Sequence, residues 1–370
     1  MGTGARVPVI ALTGYLGAGK TTVLNHLLAA PGARLGVVVN DFGAINVDAA
    51  LVTGQIDEPA SIAGGCVCCL PDTDGLDEAL EKLSRPRLRL DAVIVEASGV
   101  ADPPNLARLI RFSAVKRVRP GGLIDVVDAA AYFDTVDRGG LAPARFVSAS
   151  LVLINKTDRI PPAQRVATIA RITARIRASN PHVQVVTTSQ GRLDPALVFD
   201  VAHPYDPVDE LPLAALARED LASGSAFDRA GLGHDHNDHD HDDHDHDDRA
   251  DVHGRHPQVS AVTVTASGPV DPGRLVDLLE SPPTNVYRLK GTVTVSTGHS
   301  QRDHVVNLVG RQIHIAARPT GAGTRGLVAI GTDLDQDAVR ARLAAVLEPL
   351  VDRPDAEGAR RLARYRRLGH

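Results

Sequence analysis

The sequence predicts an α/β fold: a domain built on a largely parallel sheet covered by helices, followed by a small C-terminal α+β domain. From Val7 to about Val201, short apolar runs alternate with helical stretches, and the runs are apolar throughout rather than at every second position. Strands of this kind are buried on both faces, which is typical of parallel sheets. Periodic patterns resume at Val259 after a long polar tract, and this second region predicts the smaller domain.

Length and composition limit the number of domains, the make-up of their cores and the location of the protein. The 370 residues suit about two domains. Hydrophobic residues make up 43% of the chain but aromatic residues only 3%, so aliphatic side chains must build the cores. No apolar run approaches the ~18 residues of a membrane span, and the N-terminus shows no basic segment followed by an apolar run. We therefore expect a cytoplasmic protein with no membrane partner.

The elements of the first domain follow from these patterns in order. The predicted strands are Val7–Leu12, Leu35–Val39, Ala92–Val95, Gly122–Val127, Leu151–Ile154 and Val183–Thr187. Predicted helices include the one after Leu12, with Leu24, Leu27 and Leu28 on one face, and the segments Asp77–Leu83 and Ala163–Arg177. Asp125 and Asp128, near the fourth strand, are interpreted as loop or capping residues.

Four regions result. The first domain covers residues 1–203, a flexible His/Asp-rich linker residues 204–258, the α+β domain residues 259–350, and a basic tail residues 351–370. The second domain's predicted elements are Val259–Thr265, Pro272–Leu279, Asn285–Ser296, His304–Val309, Gln312–Ala316, Gly326–Ile330 and Gln336–Leu347.

The charge of the chain is concentrated in the linker. Residues 234–256 hold nine Asp, two Arg and eight His, and outside this tract the net charge of −5 becomes about +2. A nearly neutral body does not favour nucleic acid as a partner. The tract has too few apolar residues to fold on a core, and its imidazoles could collect Zn²⁺, Ni²⁺ or Co²⁺ weakly. A solvated acidic linker is the alternative.

A phosphate-binding motif opens the first domain. Residues 14–21 match G-x-x-x-x-G-K-[ST] between a predicted strand and a helix, a setting that directs backbone N–H groups at an anion. Lys20 is expected to reach the β- and γ-phosphates, and Thr21 to bind Mg²⁺. The alternative is an ordinary Gly-rich turn. The expected nucleotide contacts are Gly14, Gly17, Ala18, Gly19, Lys20, Thr21 and Thr22.

A second motif predicts which base is bound. Asn155-Lys156-Thr157-Asp158 directly follows an apolar strand. Asp158 could accept from N1–H and the N2 amino group of guanine while Asn155 reads O6, and adenine would leave these groups unpaired. We therefore expect GTP, with Lys156 also in the base site; a surface turn is the alternative. Residues 188–191 follow the next strand and are a weaker candidate for a second base-binding loop.

Glu96 and Gly99 end the third predicted strand. A carboxylate there suits a Mg²⁺-bound water, and the Gly99 N–H could sense the γ-phosphate. A plain strand-terminating turn is the alternative. Together with Lys20, these two residues form the expected catalytic set. Because no water-positioning Gln or arginine finger stands out, we expect slow intrinsic hydrolysis that metal or a partner stimulates.

All three cysteines lie within four positions, at Cys66, Cys68 and Cys69. Clustered thiolates favour Zn²⁺ or another late first-row metal and suit a reducing compartment. In an extended segment Cys66 and Cys68 share a face, so a further ligand must come from elsewhere. Buried structural cysteines or a redox pair are the alternatives.

The chain resembles the CobW-type metallochaperone GTPases, which are relatives of the nickel-insertion GTPases. The resemblance rests on four motifs in this order: the phosphate loop, C-x-C-C, E-x-x-G and N-K-x-D. The resemblance extends to Asn40-Asp41-Phe42-Gly43 in the first switch, the His-rich linker and Arg288-Leu-Lys-Gly291. It implies a P-loop GTPase that delivers zinc, cobalt, nickel or iron to a client metalloprotein, with C-x-C-C as the metal site.

One position departs from the family pattern. The family usually carries Glu where Asp41 stands, so Asp41 is a further candidate ligand, one methylene short. A homodimer is compatible with this interpretation. Two other functions stay open: a P-loop kinase acting on a small molecule, and a metal-buffering protein with a regulatory nucleotide site.

Overall fold

The computed structural model describes residues 6–39, 60–61, 74–99, 102–139, 143–199, 259–297, 300–318, 324–351 and 353–368. In the first domain the strands are β1 (Val7–Gly14), β2 (Leu35–Val39), β3 (Ala60–Ser61), β4 (Ala92–Glu96), β5 (Val118–Asp128), β6 (Leu151–Asn155) and β7 (Gln184–Thr187). The helices are α1 (Lys20–Leu28), α2 (Asp74–Leu83), α3 (Pro103–Arg111), α4 (Tyr132–Thr135) and α5 (Pro162–Ser179).

The first sheet is parallel throughout, in the order β3-β2-β4-β1-β5-β6-β7. Alternate residues of β1 enter different cores: Val9 and Ala11 pack on one face of the sheet, and Ile10 and Leu12 pack on the other. This two-sided burial is the physical reason for the continuous apolar strands, and it confirms the predicted fold class.

The second domain has one antiparallel sheet, in the order β11-β10-β9-β12-β8. Its strands are β8 (Val259–Thr265), β9 (Val286–Ser296), β10 (Gln301–Val309), β11 (Gln312–Arg318) and β12 (Gly326–Thr332). Its helices are α6 (Pro272–Glu280), α7 (Gln336–Leu347) and α8 (Ala356–Leu368). Asp271 and Asp335 cap α6 and α7, each side chain accepting a backbone N–H of the first turn.

The region predicted as a basic tail differs from that expectation. Within it, α8 packs on the second domain, where Leu362 is buried in the core. Arg361 donates to Asp277 (2.8 Å) and Glu280 (2.6 Å) of α6. Arginine-rich composition suggested a solvated segment, but one apolar face and these ion pairs are enough to dock the helix. The linker 204–258 lies outside the described residues. Within the described part of the chain, no helix is both long and apolar enough to cross a lipid bilayer.

The two domains meet through buried and partly buried polar contacts. The Tyr287 hydroxyl lies 3.1 Å from Ser150 Oγ, immediately before β6. Gln184 Nε2, at the start of β7, donates to Thr332 Oγ1 (2.7 Å). Both contacts lie at the amino ends of parallel strands, opposite the loops that carry the sequence motifs. Arg288 donates to the carbonyl of Ala196 (2.8 Å), which lies in the 3₁₀ helix Pro195–Leu197 after β7.

Replacement of Tyr287 by Phe tests this contact. Burial raises the pKa of the Tyr287 hydroxyl from its usual 10 to about 12. A group whose pKa is raised on folding contributes stability below its unfolded pKa and loses it as pH rises to the folded value. The wild-type free energy of unfolding should therefore fall by roughly 2 kcal/mol more between pH 10 and 12 than that of Tyr287→Phe. Denaturant titrations at both pH values measure this, and parallel losses in the two proteins would contradict it.

Candidate functional site

The phosphate loop follows β1 and turns through glycines in the left-handed region. Gly17 has φ +76° and Gly19 has φ +104°, conformations that L side chains rarely adopt. A Cβ on Gly19 would also lie 2.4 Å from Asn155 Nδ2. Helix α1 begins at the next residue, and the first N–H groups of a helix have no partner within it. These groups and the positive end of the helix suit an anion.

Lys20 is folded back over this loop. Its Nζ donates to the backbone oxygens of Gly14 (3.0 Å) and Tyr15 (3.4 Å). Burial lowers the pKa of Lys20, and the nearby Glu96 carboxylate opposes that shift. The ammonium group is thus held among backbone carbonyls of the loop, within reach of an anion that the loop would enclose.

The magnesium ligands expected from the sequence meet at one point. Thr21 Oγ1 donates to Glu96 Oε1 (2.9 Å), and Glu96 is the buried last residue of β4. A hydroxyl and a carboxylate are hard oxygen ligands of the kind Mg²⁺ takes, so the donor set fits this ion. A Cβ on Gly99 would lie 2.8 Å from the Leu16 backbone, so Gly99 directly contacts the phosphate loop.

Asn155 links the phosphate loop to the loop after β7. Its Nδ2 donates to the Ala18 carbonyl (3.0 Å), and its Oδ1 accepts from the Gly191 N–H (3.0 Å). The residue is 1% exposed. Both ends of the amide are therefore engaged by backbone, which makes Asn155 a residue that positions two loops.

Lys156 forms a second link. Its Nζ donates to the Gly17 carbonyl (2.5 Å) and to Asp128 Oδ2 (2.7 Å). Asp128 ends β5 and stands beside Asn155 in the strand register. The backbone of Lys156 is left-handed, with φ +60°. This turn directs the chain from β6 into the short 3₁₀ helix Thr157–Arg159.

Asp158 lies in that 3₁₀ helix and is exposed. Its carboxylate makes no hydrogen bond or ion pair with any described residue. Next to it, Thr157 Oγ1 donates to the Thr188 carbonyl (3.1 Å) and lies 3.0 Å from Ser189 Oγ. Gly191, with φ +68°, packs so closely on α1 that a Cβ would lie 2.9 Å from the Val23 nitrogen. The loop after β7 is thus held against both the N-K-x-D segment and α1.

The structure brings together the phosphate loop, Glu96, Gly99 and the N-K-x-D segment at the carboxyl ends of β1, β4 and β6. The four predicted transition-metal ligands, Asp41, Cys66, Cys68 and Cys69, lie outside the described residues. Over the ranges that are described, no three His, Cys, Asp or Glu side chains converge as a metal site.

Three polar residues near the phosphate and base loops were not predicted to belong to the site. Asp128 anchors Lys156 as well as capping the Ala130 N–H (2.9 Å). Asp125 lies within β5, fully buried, and binds Arg145. An acidic residue inside an otherwise apolar strand was the available signal for Asp125. No sequence pattern indicated Arg145, because its approach depends on the packing of the loop between α4 and β6.

These features define a P-loop nucleotide-binding protein with a GTPase-like parallel sheet and an appended antiparallel domain. Residues 8–186 match the family model of the CobW/HypB/UreG nucleotide-binding domain, and residues 259–347 match the model of the cobalamin synthesis protein cobW C-terminal domain. The chain belongs to the CobW/HypB/UreG family.

Named relatives of this chain include two zinc chaperones and a GTPase of known structure. The zinc chaperone YjiA of Escherichia coli (strain K12) is 30% identical over 201 residues, 52% of this chain and 61% of that protein. The zinc chaperone CobW of Sinorhizobium sp is 27% identical over 92% of this chain and 98% of that protein. The crystal structure of the Zn(II)-bound YjiA GTPase aligns with 92% of this chain and 99% of its own, at 19% identity and a TM-score of 0.39.

Asn155→Ala tests the link between the loops. The change leaves the Ala18 carbonyl and the Gly191 N–H without their buried partner, at a cost of about 1–3 kcal/mol for each group. We expect a lower free energy of unfolding and at least about tenfold weaker binding of both GTP and GDP, because the phosphate loop loses its support. Nucleotide titration by fluorescence and denaturant unfolding measure the two effects.

Asn285→Ala is the matched control. Asn285 Nδ2 also donates to a backbone carbonyl, that of Asp333 (3.1 Å), which lies in the second domain away from the nucleotide loops. This variant should lose stability and keep its nucleotide affinity. Equal loss of affinity in both variants would mean that the Asn155 effect is a general consequence of destabilisation.

Proposed function

We propose that this protein is a GTP-hydrolysing metallochaperone that binds a transition metal and delivers it to a client protein. The nucleotide part of the proposal rests on the Asp158 carboxylate, which is exposed and makes no hydrogen bond or ion pair with any described residue. This carboxylate lies beside the loops after β6 and β7, which Lys156 and Asn155 fix to the phosphate loop. A guanine placed there would offer its N1–H and N2 amino group to Asp158. Asn155 would act by holding the loops, since both ends of its amide are already engaged.

Hydrolysis is assigned to the residues around Glu96. Lys20 would bind the β- and γ-phosphates, and Thr21 and Glu96 would hold Mg²⁺, Glu96 through a water. Bound Mg²⁺ would neutralise charge that develops on the phosphates. The contact of Gly99 with Leu16 supports a role in sensing the γ-phosphate, because a movement of the phosphate loop would displace the backbone that Gly99 contacts.

Zinc is the first candidate cargo, with cobalt, nickel and iron as alternatives. Two relatives are named zinc chaperones, and one from Schizosaccharomyces pombe (strain 972) is named zinc-regulated GTPase metalloprotein activator 1. We assign the metal to Cys66, Cys68 and Cys69, whose soft thiolates suit these ions and require a reducing compartment such as the cytoplasm. Asp41 remains a candidate further ligand.

The first test concerns the base. We expect at least about a hundredfold preference for GTP over ATP, the scale set by a hydrogen-bonding pocket that meets a mismatched base. Asp158→Asn should weaken GTP binding and restore part of the affinity for xanthosine triphosphate, whose carbonyl at position 2 accepts from an amide. Competition titrations measure these affinities.

Asp337→Asn is a matched control, because it removes an exposed carboxylate from α7 in the other domain. It should leave all affinities unchanged. Equal binding of ATP and GTP by the wild-type protein would exclude a guanine-specific site and favour the P-loop kinase alternative.

The second test concerns coupling between nucleotide and metal. Residues 66–69 follow the Asn40–Gly43 motif in the chain and precede β4, whose last residue, Glu96, accepts a hydrogen bond from Thr21 of the phosphate site. We expect a non-hydrolysable GTP analogue to tighten Zn²⁺ binding relative to GDP. A tenfold effect would be reciprocal and correspond to about 1.4 kcal/mol.

Anaerobic titration with Zn²⁺, Co²⁺ and Ni²⁺ in each nucleotide state measures the coupling. Cys→Ser at position 66, 68 or 69 should abolish it and preserve GTP binding. Identical metal affinities with the GTP analogue and with GDP would exclude a nucleotide switch and favour the metal-buffer alternative.

A further inference from the structure

A buried ion pair lies directly below the phosphate loop. Asp125, on β5, is 0% exposed and stands beside Thr13 in the strand register. Thr13 is the residue immediately before Gly14, where the phosphate loop begins. The carboxylate oxygens of Asp125 accept from Thr13 Oγ1 (3.1 Å) and, in a two-point contact, from Arg145 Nε (2.7 Å) and Nη2 (2.8 Å). The pair therefore holds the end of β1 at the residue where the phosphate loop begins.

Stability alone does not account for this pair. Burying two charges costs several kcal/mol per ion, and apolar side chains of the same volume often stabilise a fold at least as well. The chain contains a similar pair, Asp137 with Arg175, that joins the segment after α4 to α5. What distinguishes Asp125 and Arg145 is that their charges act on Lys20.

The Arg145 cation of the pair favours an anion. Burial lowers the pKa of Lys20 most, the Glu96 carboxylate opposes that shift, and beyond these the Arg145 cation lowers the pKa and the Asp125 carboxylate raises it. Arg145 is therefore a positive charge that acts at the Lys20 ammonium. A triphosphate bound by Lys20 would experience the same positive charge, and in a partly buried site such a field is weakly screened.

Arg145 is held in place from a second side. It lies in the 3₁₀ helix Ala144–Ser148, with its side chain 17% exposed, and this helix packs on α3. Helix α3 begins shortly after Gly99, the residue that contacts the phosphate loop. The guanidinium is therefore held by Asp125 of β5, while the backbone that carries Arg145 packs on the helix that follows Gly99.

We propose that Asp125 and Arg145 are positioning residues of the phosphate site: Asp125 orients Arg145, and Arg145 supplies positive potential below the loop that strengthens triphosphate binding. This inference rests on the proposed GTP site. Neither side chain is assigned a contact with the nucleotide. Both act through the loop and Lys20.

The proposal predicts opposite signs for two isosteric changes. Arg145→Gln leaves a buried carboxylate unpaired below the phosphates, so the affinity for a non-hydrolysable GTP analogue should fall at least about tenfold, and that for GDP by less. Asp125→Asn keeps an amide oxygen for Arg145 and removes the negative charge, so affinity should be unchanged or several-fold higher. The double variant should bind more tightly than Arg145→Gln, because no unpaired carboxylate is left, but less tightly than the wild-type protein, because the Arg145 cation is absent.

Titration of fluorescent GTP-analogue and GDP into the full-length protein measures these affinities, and thermal unfolding without nucleotide reports folding. Arg175→Gln is the matched control, expected to lower the melting temperature without changing nucleotide affinity. A purely structural pair would instead make Asp125→Asn and Arg145→Gln lose affinity alike, or not at all. Either result overturns the proposal.

The wild-type titration separates this inference from the proposed function. If the wild-type protein binds no guanine nucleotide, the proposed function fails and the positioning role fails with it. If the wild-type protein binds and Arg145→Gln binds equally well, only the positioning role fails. Should Arg145→Gln not fold, a tenfold loss in Asp125→Asn overturns the proposal, and retained or increased affinity supports it.

Discussion

The side-chain amide of Asn155 is the contact on which the nucleotide site depends. Three loops leave the carboxyl ends of β1, β6 and β7, and none of them has a regular hydrogen-bond ladder to fix it. Asn155 joins the loops after β1 and β7, and it is itself the last residue of β6. Because an amide has a donor and an acceptor on one rigid plane, it fixes both distance and orientation. Lys156 adds a parallel link from Gly17 to Asp128.

Charge around the phosphate loop is balanced before any ligand binds. Lys20 is close to Glu96, and Arg145 is paired with Asp125, so one buried and one partly exposed cation are matched by two buried carboxylates. Unpaired burial of any of these groups would be costly. A triphosphate with Mg²⁺ would bring its own balanced charges. The site can therefore exist folded without nucleotide, and each carboxylate sets how strongly its cation acts on an incoming anion.

The C-terminal domain is joined to the first domain around β6 and β7. Tyr287 meets Ser150 before β6, and Arg288 meets Ala196, a few residues beyond the loop that Asn155 holds. Val328 and Ile330 of β12 share a core with Leu197 and Phe199. The loop after β7, which Asn155 binds, is thus followed within a few residues by a segment that packs on the second domain.

The sequence by itself determined the longer strands of both sheets and helices α1, α2, α5, α6 and α7, because buried strands are apolar and amphipathic helices have a regular period. It did not indicate β3, α3 or α4. It did indicate Lys20, Thr21, Glu96 and Asp158, whose types and spacings follow from the chemistry of phosphate, Mg²⁺ and guanine. Only the tertiary structure decided the partners of Asn155 and the pairing of Asp125 with Arg145. These contacts join residues far apart in the chain, and their geometry depends on strand register and loop packing. The docking of α8 was decided in the same way. Composition shows only that this segment is rich in arginine, whereas the burial of Leu362 and the pairing of Arg361 with α6 depend on the position of the helix in the folded domain.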